Sequence, residues 1–131
     1  MMRLASLAVV LAYTAGLHWI YISLHTYGEM PAWLAALATL LLSLYVALYA
    51  LAALALIRWL RLSIQQWAAP FVIAAVVTLA EWCRGTLLTG FPWLGIGYLA
   101  IDTPLAGYAP VVGVYGVGFL AALAVMWTAQ T

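Results

Sequence analysis

Long apolar runs, separated by short polar or broken segments, dominate the pattern of hydrophobic and polar positions along this chain. A membrane-spanning helix needs about 20 apolar residues, because about 30 Å of hydrocarbon is crossed at 1.5 Å per residue. On this basis we predict helices over residues 4–24, 32–57, 64–83 and 111–128. The predicted fold is an all-α, polytopic membrane helix bundle that forms a single transmembrane domain over residues 1–131.

The start of the third predicted helix carries two competing features. Ser63 and Gln66 have the spacing of a capping box, which favours a helix start near residue 64. Pro70 removes a backbone donor, so it either kinks this helix or marks its true start. A start at Pro70 leaves about 14 residues before Arg84, about 21 Å, which is too short to span a bilayer. We therefore predict a kinked or interfacial first turn.

The segment between the last two predicted helices, about residues 84–110, is unlike the apolar runs on either side. Over Leu87–Pro110 it contains four glycines, three prolines, two tyrosines, one tryptophan and a single acid. Irregular backbone exposed to lipid would leave N–H and C=O groups unpaired, at several kcal/mol each. We predict an irregular outer loop, which is either anchored in the interfacial belt by its aromatic residues or forms the lip of a binding cleft.

The composition agrees with a membrane protein. Hydrophobic residues make up 69% of the chain and charged residues 5%, whereas a water-soluble domain is about half apolar and a quarter charged. A net charge of +1 argues against nucleic acid as a partner, since nucleic-acid binding needs clustered basic residues. The single cysteine excludes an intrachain disulfide.

The basic residues predict the orientation of the helices. Arg3 precedes the first helix, and Arg58 and Arg61 follow the second, which places both ends of the chain on the cytoplasmic side. The first apolar run resembles a signal peptide, but no cleavage site followed by polar sequence is present, so we predict a retained helix. Arg84 lies at an outer helix end, and Glu81, three residues earlier, is predicted to form a structural ion pair with it.

The remaining polar and small residues predict packing more than chemistry. Cys83 has no base placed beside it apart from a carboxylate on its own helix, and a core cysteine is the favoured interpretation. His18 and His25 could share one helical face, but two histidines without a third ligand make a poor metal site. We predict no metal and no cofactor. Gly113 and Gly116 are predicted to allow close helix packing.

Three stretches in this sequence resemble one known family. They are GLHWIYISLHTYGEMP, EWCRGTLLTGFPWLGIGY and APVVGVYGVGFL, in that order along the chain. Together they resemble the membrane part of bacterial apolipoprotein N-acyltransferases, and the resemblance covers about residues 16–123. The motifs are long and keep the family's order, which makes the resemblance specific.

The resemblance implies an inner-membrane enzyme that moves an acyl chain from a phospholipid to the N-terminal cysteine amine of a lipidated apolipoprotein. In that family a nitrilase-like periplasmic domain supplies a Glu–Lys–Cys triad, in which the thiolate takes up the acyl group. This chain has no lysine, so the triad cannot be assembled from it. The resemblance therefore implies a membrane fragment, equivalent to helices three to six of the family, that is inactive without the remainder of its own chain.

By the same resemblance, two groups of loop residues are candidates for contact with the substrates where these reach the triad. They are Phe91, Pro92, Trp93 and Tyr98 in the outer loop, with Trp19, Tyr21, Ser23 and Tyr27 near the end of the first helix. An interfacial anchor without a ligand is the alternative role for each aromatic residue. The alternative functions for the whole chain are a small transporter or channel subunit and a non-catalytic helix-packing module.

Overall fold

The computed structural model describes residues 2–61, 63 and 65–130. Its α-helices, in chain order, are α1 (Met2–Gly16), α2 (His18–Ile22), α3 (Ala32–Trp59), α4 (Ala69–Thr86), α5 (Ile96–Leu99) and α6 (Ala109–Thr128). A π-helix covers Ser23–Tyr27, and 3-10 helices cover Leu87–Thr89 and Pro104–Tyr108.

Helices that could cross a membrane account for most of the structure. Within the described residues, three helical segments are long and apolar enough to span a bilayer, namely Ala32–Trp59, Ala69–Thr89 and Pro104–Thr128. A fourth span is possible if the helices on either side of a 42° bend, Arg3–Gly16 and His18–Tyr27, are counted together. The prediction of an all-α membrane protein with about four spans is confirmed.

The chain divides into two compact units, Met1–Leu51 and Ala52–Thr131, and α3 contributes residues to both. We call them the N-terminal unit and the C-terminal unit. The prediction of one transmembrane domain over the whole chain stays a prediction.

The first predicted helix, over residues 4–24, is broken in the structure. Leu17 is fully buried and has non-helical backbone angles (φ −101°, ψ 5°), and it separates α1 from α2. Glycine is a poor helix former, so Gly16 makes this a favourable place for the break. The Leu17 N–H still donates to the Tyr13 carbonyl oxygen at 2.9 Å. An apolar run predicts a span but not its straightness, which explains why the bend was missed.

Helix α3 has large side chains on its exposed surface and small ones on its buried face. The exposed face includes Leu37, Leu41, Leu44 and Leu48, whereas the buried positions include Ala35, Thr39, Ser43 and Ala47. The buried hydroxyls of Thr39 and Ser43 donate to carbonyl oxygens four residues earlier, each at 2.8 Å. This pattern is typical of a membrane helix, in which large apolar side chains face the lipid and small residues allow close packing against other helices.

Helix α4 begins later than the sequence predicted. It starts at Ala69, with Pro70 in its first turn, so Pro70 marks the start of the helix and does not kink it. The expected capping box is absent, because the Ser63 hydroxyl donates to the Gln65 side chain at 2.6 Å and no side chain caps α4. The helix reaches spanning length by continuing past Arg84 to Thr86. The buried charge of Arg84 is paired there, so it does not end the helix.

Helix α6 is interrupted near its start. Gly113 has φ +66° and ψ −179°, a conformation that residues with a side chain rarely adopt. Apart from its chain neighbours and the backbone of its own helix, a Cβ atom at this position would meet no heavy atom within 4 Å, so Gly113 does not serve close packing as predicted. It provides a break in the helix instead. The closest glycine contacts of α6 with another element occur at Gly118, which is described with the site below.

Replacing Gly113 with alanine is expected to destabilise the protein by about 1–3 kcal/mol, because alanine is strained at this backbone conformation. Gly107→Ala is the matched control, since its Cβ would also meet open space and its φ is not positive. We expect the control to change stability by less than about 0.5 kcal/mol. Thermal unfolding of the purified chain in detergent micelles measures both, and equal midpoints for the two variants would contradict the assignment.

Candidate functional site

A groove of about 450 Å³ lies beside α5 in the C-terminal unit. It is lined by Pro92, Trp93, Leu94, Gly95, Tyr98 and Leu99. Three of the outer-loop residues singled out from the sequence therefore line one groove. The fourth, Phe91, packs against Trp93 with a ring-centroid distance of 5.1 Å. Trp93 is 54% exposed and Tyr98 is 53% exposed, so both rings border the opening.

An ion pair lies buried near the end of α4. Glu81 Oε1 and the Arg84 guanidinium are 3.5 Å apart, and Arg84 is only 1% exposed. Charges removed from solvent are stable only when they are paired and their remaining hydrogen-bonding capacity is used. Backbone groups of the outer loop use part of this capacity.

The Glu81 carboxylate accepts hydrogen bonds from the Ile96 backbone N–H, with N···O distances of 2.9 and 3.1 Å to its two oxygens. The Arg84 guanidinium donates to the Trp93 carbonyl oxygen. The Arg84 backbone carbonyl accepts from the Phe91 N–H at 2.8 Å. Sequence spacing predicted the pair but not these contacts, because they join residues that are seven to fifteen positions apart through the folding of the loop.

Helix α5 packs directly on the backbone of α6. A Cβ atom at the buried Gly97 would overlap the Val114 carbonyl oxygen and would lie 2.8 Å from Val114 Cγ2. A Cβ atom at Gly118 would lie 3.2 Å from the Gly97 nitrogen and 3.5 Å from Glu81 Oε2. Helices α4, α5 and α6 therefore meet at one tightly packed point, next to the groove-lining residue Tyr98.

Backbone strain is concentrated in the loop that precedes and lines the groove. Leu88, Thr89 and Leu94 have φ values of +51°, +74° and +62°. Positive φ is uncommon for any residue with a side chain and is most unfavourable for a β-branched one such as threonine. Such conformations persist when surrounding contacts hold them, and they occur often at ligand-binding sites.

A second groove, of about 550 Å³, lies between α4 and α6. Its lining includes Ile73 and Val77 from α4 and Val125 and Met126 from α6. Leu99 lines this groove as well as the aromatic one, so the two adjoin at that side chain.

The other four candidates lie in the N-terminal unit. Trp19, Ser23 and Tyr27 are exposed, and Tyr21 is half-buried with its ring centroid 5.4 Å from that of His25. Ser23 and Tyr27 begin and end the π-helix. The prediction that these residues contact the substrates stays a prediction.

His18 and His25 each lie close to a backbone carbonyl oxygen that is three or five residues away in the sequence. His18 Nδ1 lies 3.2 Å from the Ala15 oxygen, and His25 Nδ1 lies 2.9 Å from the Met30 oxygen. Cys83 is a free, half-buried cysteine on α4. These contacts fit local structural roles for the two histidines.

Comparison with known proteins gives one consistent family. The family model described as the apolipoprotein N-acyltransferase N-terminal domain matches residues 1–127. An apolipoprotein N-acyltransferase from Ralstonia nicotianae is 52% identical over 114 residues, which cover 84% of this chain and 21% of the relative. The enzyme of that name from Nitrosomonas europaea is 49% identical over 119 residues, which cover 88% of this chain and 23% of the relative. The chain thus spans about a fifth of the length of these relatives.

Proposed function

The chain belongs to the apolipoprotein N-acyltransferase family, and we propose that its aromatic groove binds the phospholipid that donates the acyl chain. In this proposal the full-length enzyme transfers that acyl chain to the N-terminal cysteine amine of a lipidated apolipoprotein. The chain described here supplies membrane helices and the outer loop of such an enzyme.

The observation that carries the proposal is the chemical character of the groove. Its walls are mainly apolar, whereas Trp93 and Tyr98 each add a polar group at the rim. Rings of this kind suit the boundary between headgroups and acyl chains, where one part of the side chain is in an apolar environment and another can form hydrogen bonds. A phospholipid presents the same two chemistries over the same short distance.

The second groove gives an acyl chain a place to extend. It adjoins the aromatic groove at Leu99 and is lined mainly by apolar side chains, with Thr103 among its lining residues. The Thr103 hydroxyl donates to the Ala100 carbonyl oxygen at 2.7 Å, so this hydrogen is already used. An alkyl chain needs no hydrogen-bonding partner, which makes it a suitable occupant of such a groove.

The reacting groups belong to the remainder of the full-length chain. Family resemblance assigns the chemistry to a Glu–Lys–Cys triad, and this chain contains no lysine. The residues described here would therefore bind and orient the acyl donor and exclude water from it. Holding a reactant in the correct position supplies a large part of a catalyst's rate advantage.

The apolar spans and the bacterial relatives make this a multi-pass bacterial membrane protein. Our finer proposal is that it resides in the inner membrane with both ends in the cytoplasm. Arg3 before α1, and Arg58 and Arg61 at the end of α3, support this orientation. It places the aromatic groove on the outer side, where the lipidated apolipoprotein would also be found.

A small channel or transporter subunit, or a helix-packing module, is not favoured. The relatives at 42–52% identity are named apolipoprotein N-acyltransferases. Polar groups of α3 are also satisfied locally, since Ser43 donates to the Thr39 carbonyl and the Tyr45 and Tyr49 hydroxyls are 2.9 Å apart. A transport pathway would instead require polar groups directed toward a permeant solute.

The proposed function is tested in a full-length chimera in which this chain replaces the matching segment of the Ralstonia nicotianae relative. We expect the chimera to transfer acyl chains from phospholipid vesicles to a synthetic diacylated lipopeptide. Trp93→Ala should lower kcat/KM roughly tenfold while leaving the protein yield nearly unchanged, because a large contact surface is lost from the groove.

Trp67→Ala is the matched control, because Trp67 is 84% exposed and does not line the groove. We expect its turnover to equal that of the parent chimera. Equal rates for the Trp93 and Trp67 variants would remove the groove from the substrate-binding site.

A further inference from the structure

We propose that the Glu81–Arg84 pair is a positioning device that sets the width of the aromatic groove and thereby its affinity for phospholipid. This inference rests on the proposed function of the groove. It assigns to the pair a role in substrate binding that goes beyond stabilising the end of α4.

Each member of the pair holds one wall of the groove. The wall formed by residues 92–95 is attached to Arg84, whose guanidinium donates to the Trp93 carbonyl oxygen. The Arg84 backbone carbonyl adds a second attachment through the Phe91 N–H at 2.8 Å. The position of this wall therefore follows the position of Arg84.

A second wall, formed by Tyr98 and Leu99, is attached to Glu81. Tyr98 and Leu99 lie on α5, and the first residue of that helix, Ile96, donates its N–H to the Glu81 carboxylate. Both carboxylate oxygens lie within 3.1 Å of the Ile96 nitrogen, closer than the 3.5 Å that separates Glu81 from Arg84. The carboxylate is thus bound to the loop at least as closely as to its ion-pair partner.

The pair joins the two walls because its members lie three residues apart on one rigid helix. A hydrogen bond to a charged group is stronger than one between neutral groups and has a preferred geometry, so each wall has a defined position. The strained residues Leu88, Thr89 and Leu94 indicate that such contacts, and not local preference, hold this loop in place. Loss of either contact should let one wall move away from the other.

The test uses the full-length chimera and separates the loop contacts from the ion pair. Glu81→Leu removes the ion pair and the contact with the Ile96 N–H, whereas Glu81→Gln keeps an oxygen that can accept from this N–H. The double exchange Glu81→Arg with Arg84→Glu restores an ion pair but presents a donor to the Ile96 N–H and an acceptor to the Trp93 carbonyl. Thr86→Val is the control, since the Thr86 hydroxyl donates to the Trp82 carbonyl of its own helix and Thr86 does not line the groove.

Two measurements are made on each variant. The KM for phospholipid in mixed micelles should rise about tenfold in Glu81→Leu and in the double exchange, with a smaller change in kcat. Glu81→Gln should recover most of the lost affinity. Hydrogen exchange of the peptide covering residues 91–99, which does not depend on activity, should accelerate in the same two variants and stay near the parent rate in Glu81→Gln.

The inference is overturned if the double variant, Glu81→Arg with Arg84→Glu, has both the parent KM and the parent rate of amide hydrogen exchange. An ion pair alone would then be sufficient. It is also overturned if Glu81→Gln behaves like Glu81→Leu. The same holds if amide hydrogen exchange of residues 91–99 accelerates in Glu81→Leu without any change in KM. Failure of the proposed function is recognised separately, by an inactive parent chimera or by Trp93→Ala retaining full activity.

Discussion

Gly97→Ala is expected to prevent α5 from docking on α6 and to destabilise the C-terminal unit by about 3 kcal/mol, near the upper end for an overpacked core. The added methyl group would overlap the carbonyl oxygen of Val114, which belongs to a helix backbone and cannot rotate away as a side chain could. Relief would require α5 to move as a whole. That movement would also break the hydrogen bond between the Ile96 N–H and Glu81.

The measurement is the thermal unfolding midpoint of the purified chain in detergent micelles, followed by the loss of helical signal. Gly107→Ala serves as the reference, because the same added methyl group meets no heavy atom within 4 Å. A midpoint for Gly97→Ala that matches this reference would show that α5 does not approach α6 as closely as described.

Arg84→Leu is expected to reduce stability by about 3–5 kcal/mol, the range measured when one partner of a buried ion pair is removed. Leucine fills a similar volume, so the effect arises from electrostatics and hydrogen bonding more than from packing. The substitution leaves the buried Glu81 carboxylate without its cation and the Trp93 carbonyl oxygen without the guanidinium.

Arg58→Leu provides the comparison for this variant, since Arg58 is exposed in the last turn of α3. Changes at exposed positions are usually within about 0.5 kcal/mol. Both variants are compared with the parent by unfolding in detergent micelles. If they unfold at the same temperature, the Arg84 charge is solvated and the ion pair does not support the loop.

The spans and the loop were predictable because lipid imposes strong constraints on sequence. A run of apolar residues that is long enough must be helical, since its backbone groups have no other partners in hydrocarbon. The four glycines and three prolines of Leu87–Pro110 predict that this segment departs from a regular helix. In the structure this segment consists of short helical pieces and turns, and it brings Pro92, Trp93 and Tyr98 to one groove.

Features that depend on contacts distant in sequence were not predictable from the pattern. The spacing of Glu81 and Arg84 indicated an ion pair, but nothing in the spacing indicated that Ile96 and Trp93 would complete it. Pro70 was rejected as a helix start because Arg84 was expected to end the helix. That inference was wrong, because the charge of Arg84 is buried and paired, and α4 continues beyond it.

The glycines show a related difficulty. Gly113 and Gly116 were chosen for packing because of their helical spacing, whereas Gly85, Gly97 and Gly118 make close contacts with other elements. Spacing along one helix identifies residues on a common face, but it does not show which part of that face another element approaches. The break at Gly113 was hidden for a similar reason, since a glycine in an apolar run is compatible with both a regular and a broken helix.

The length of α3 has a consequence for the kind of bilayer in which the protein works. Its 28 residues extend about 42 Å, which is longer than the roughly 30 Å of hydrocarbon in a typical bilayer. The surplus must be accommodated by leaning or by protruding beyond the lipid, and each arrangement depends on membrane thickness. Lipids with shorter tails would favour a larger tilt of α3 away from the bilayer normal, and lipids with longer tails would favour a smaller one. Lipid composition therefore adjusts the angle of this helix without any ligand.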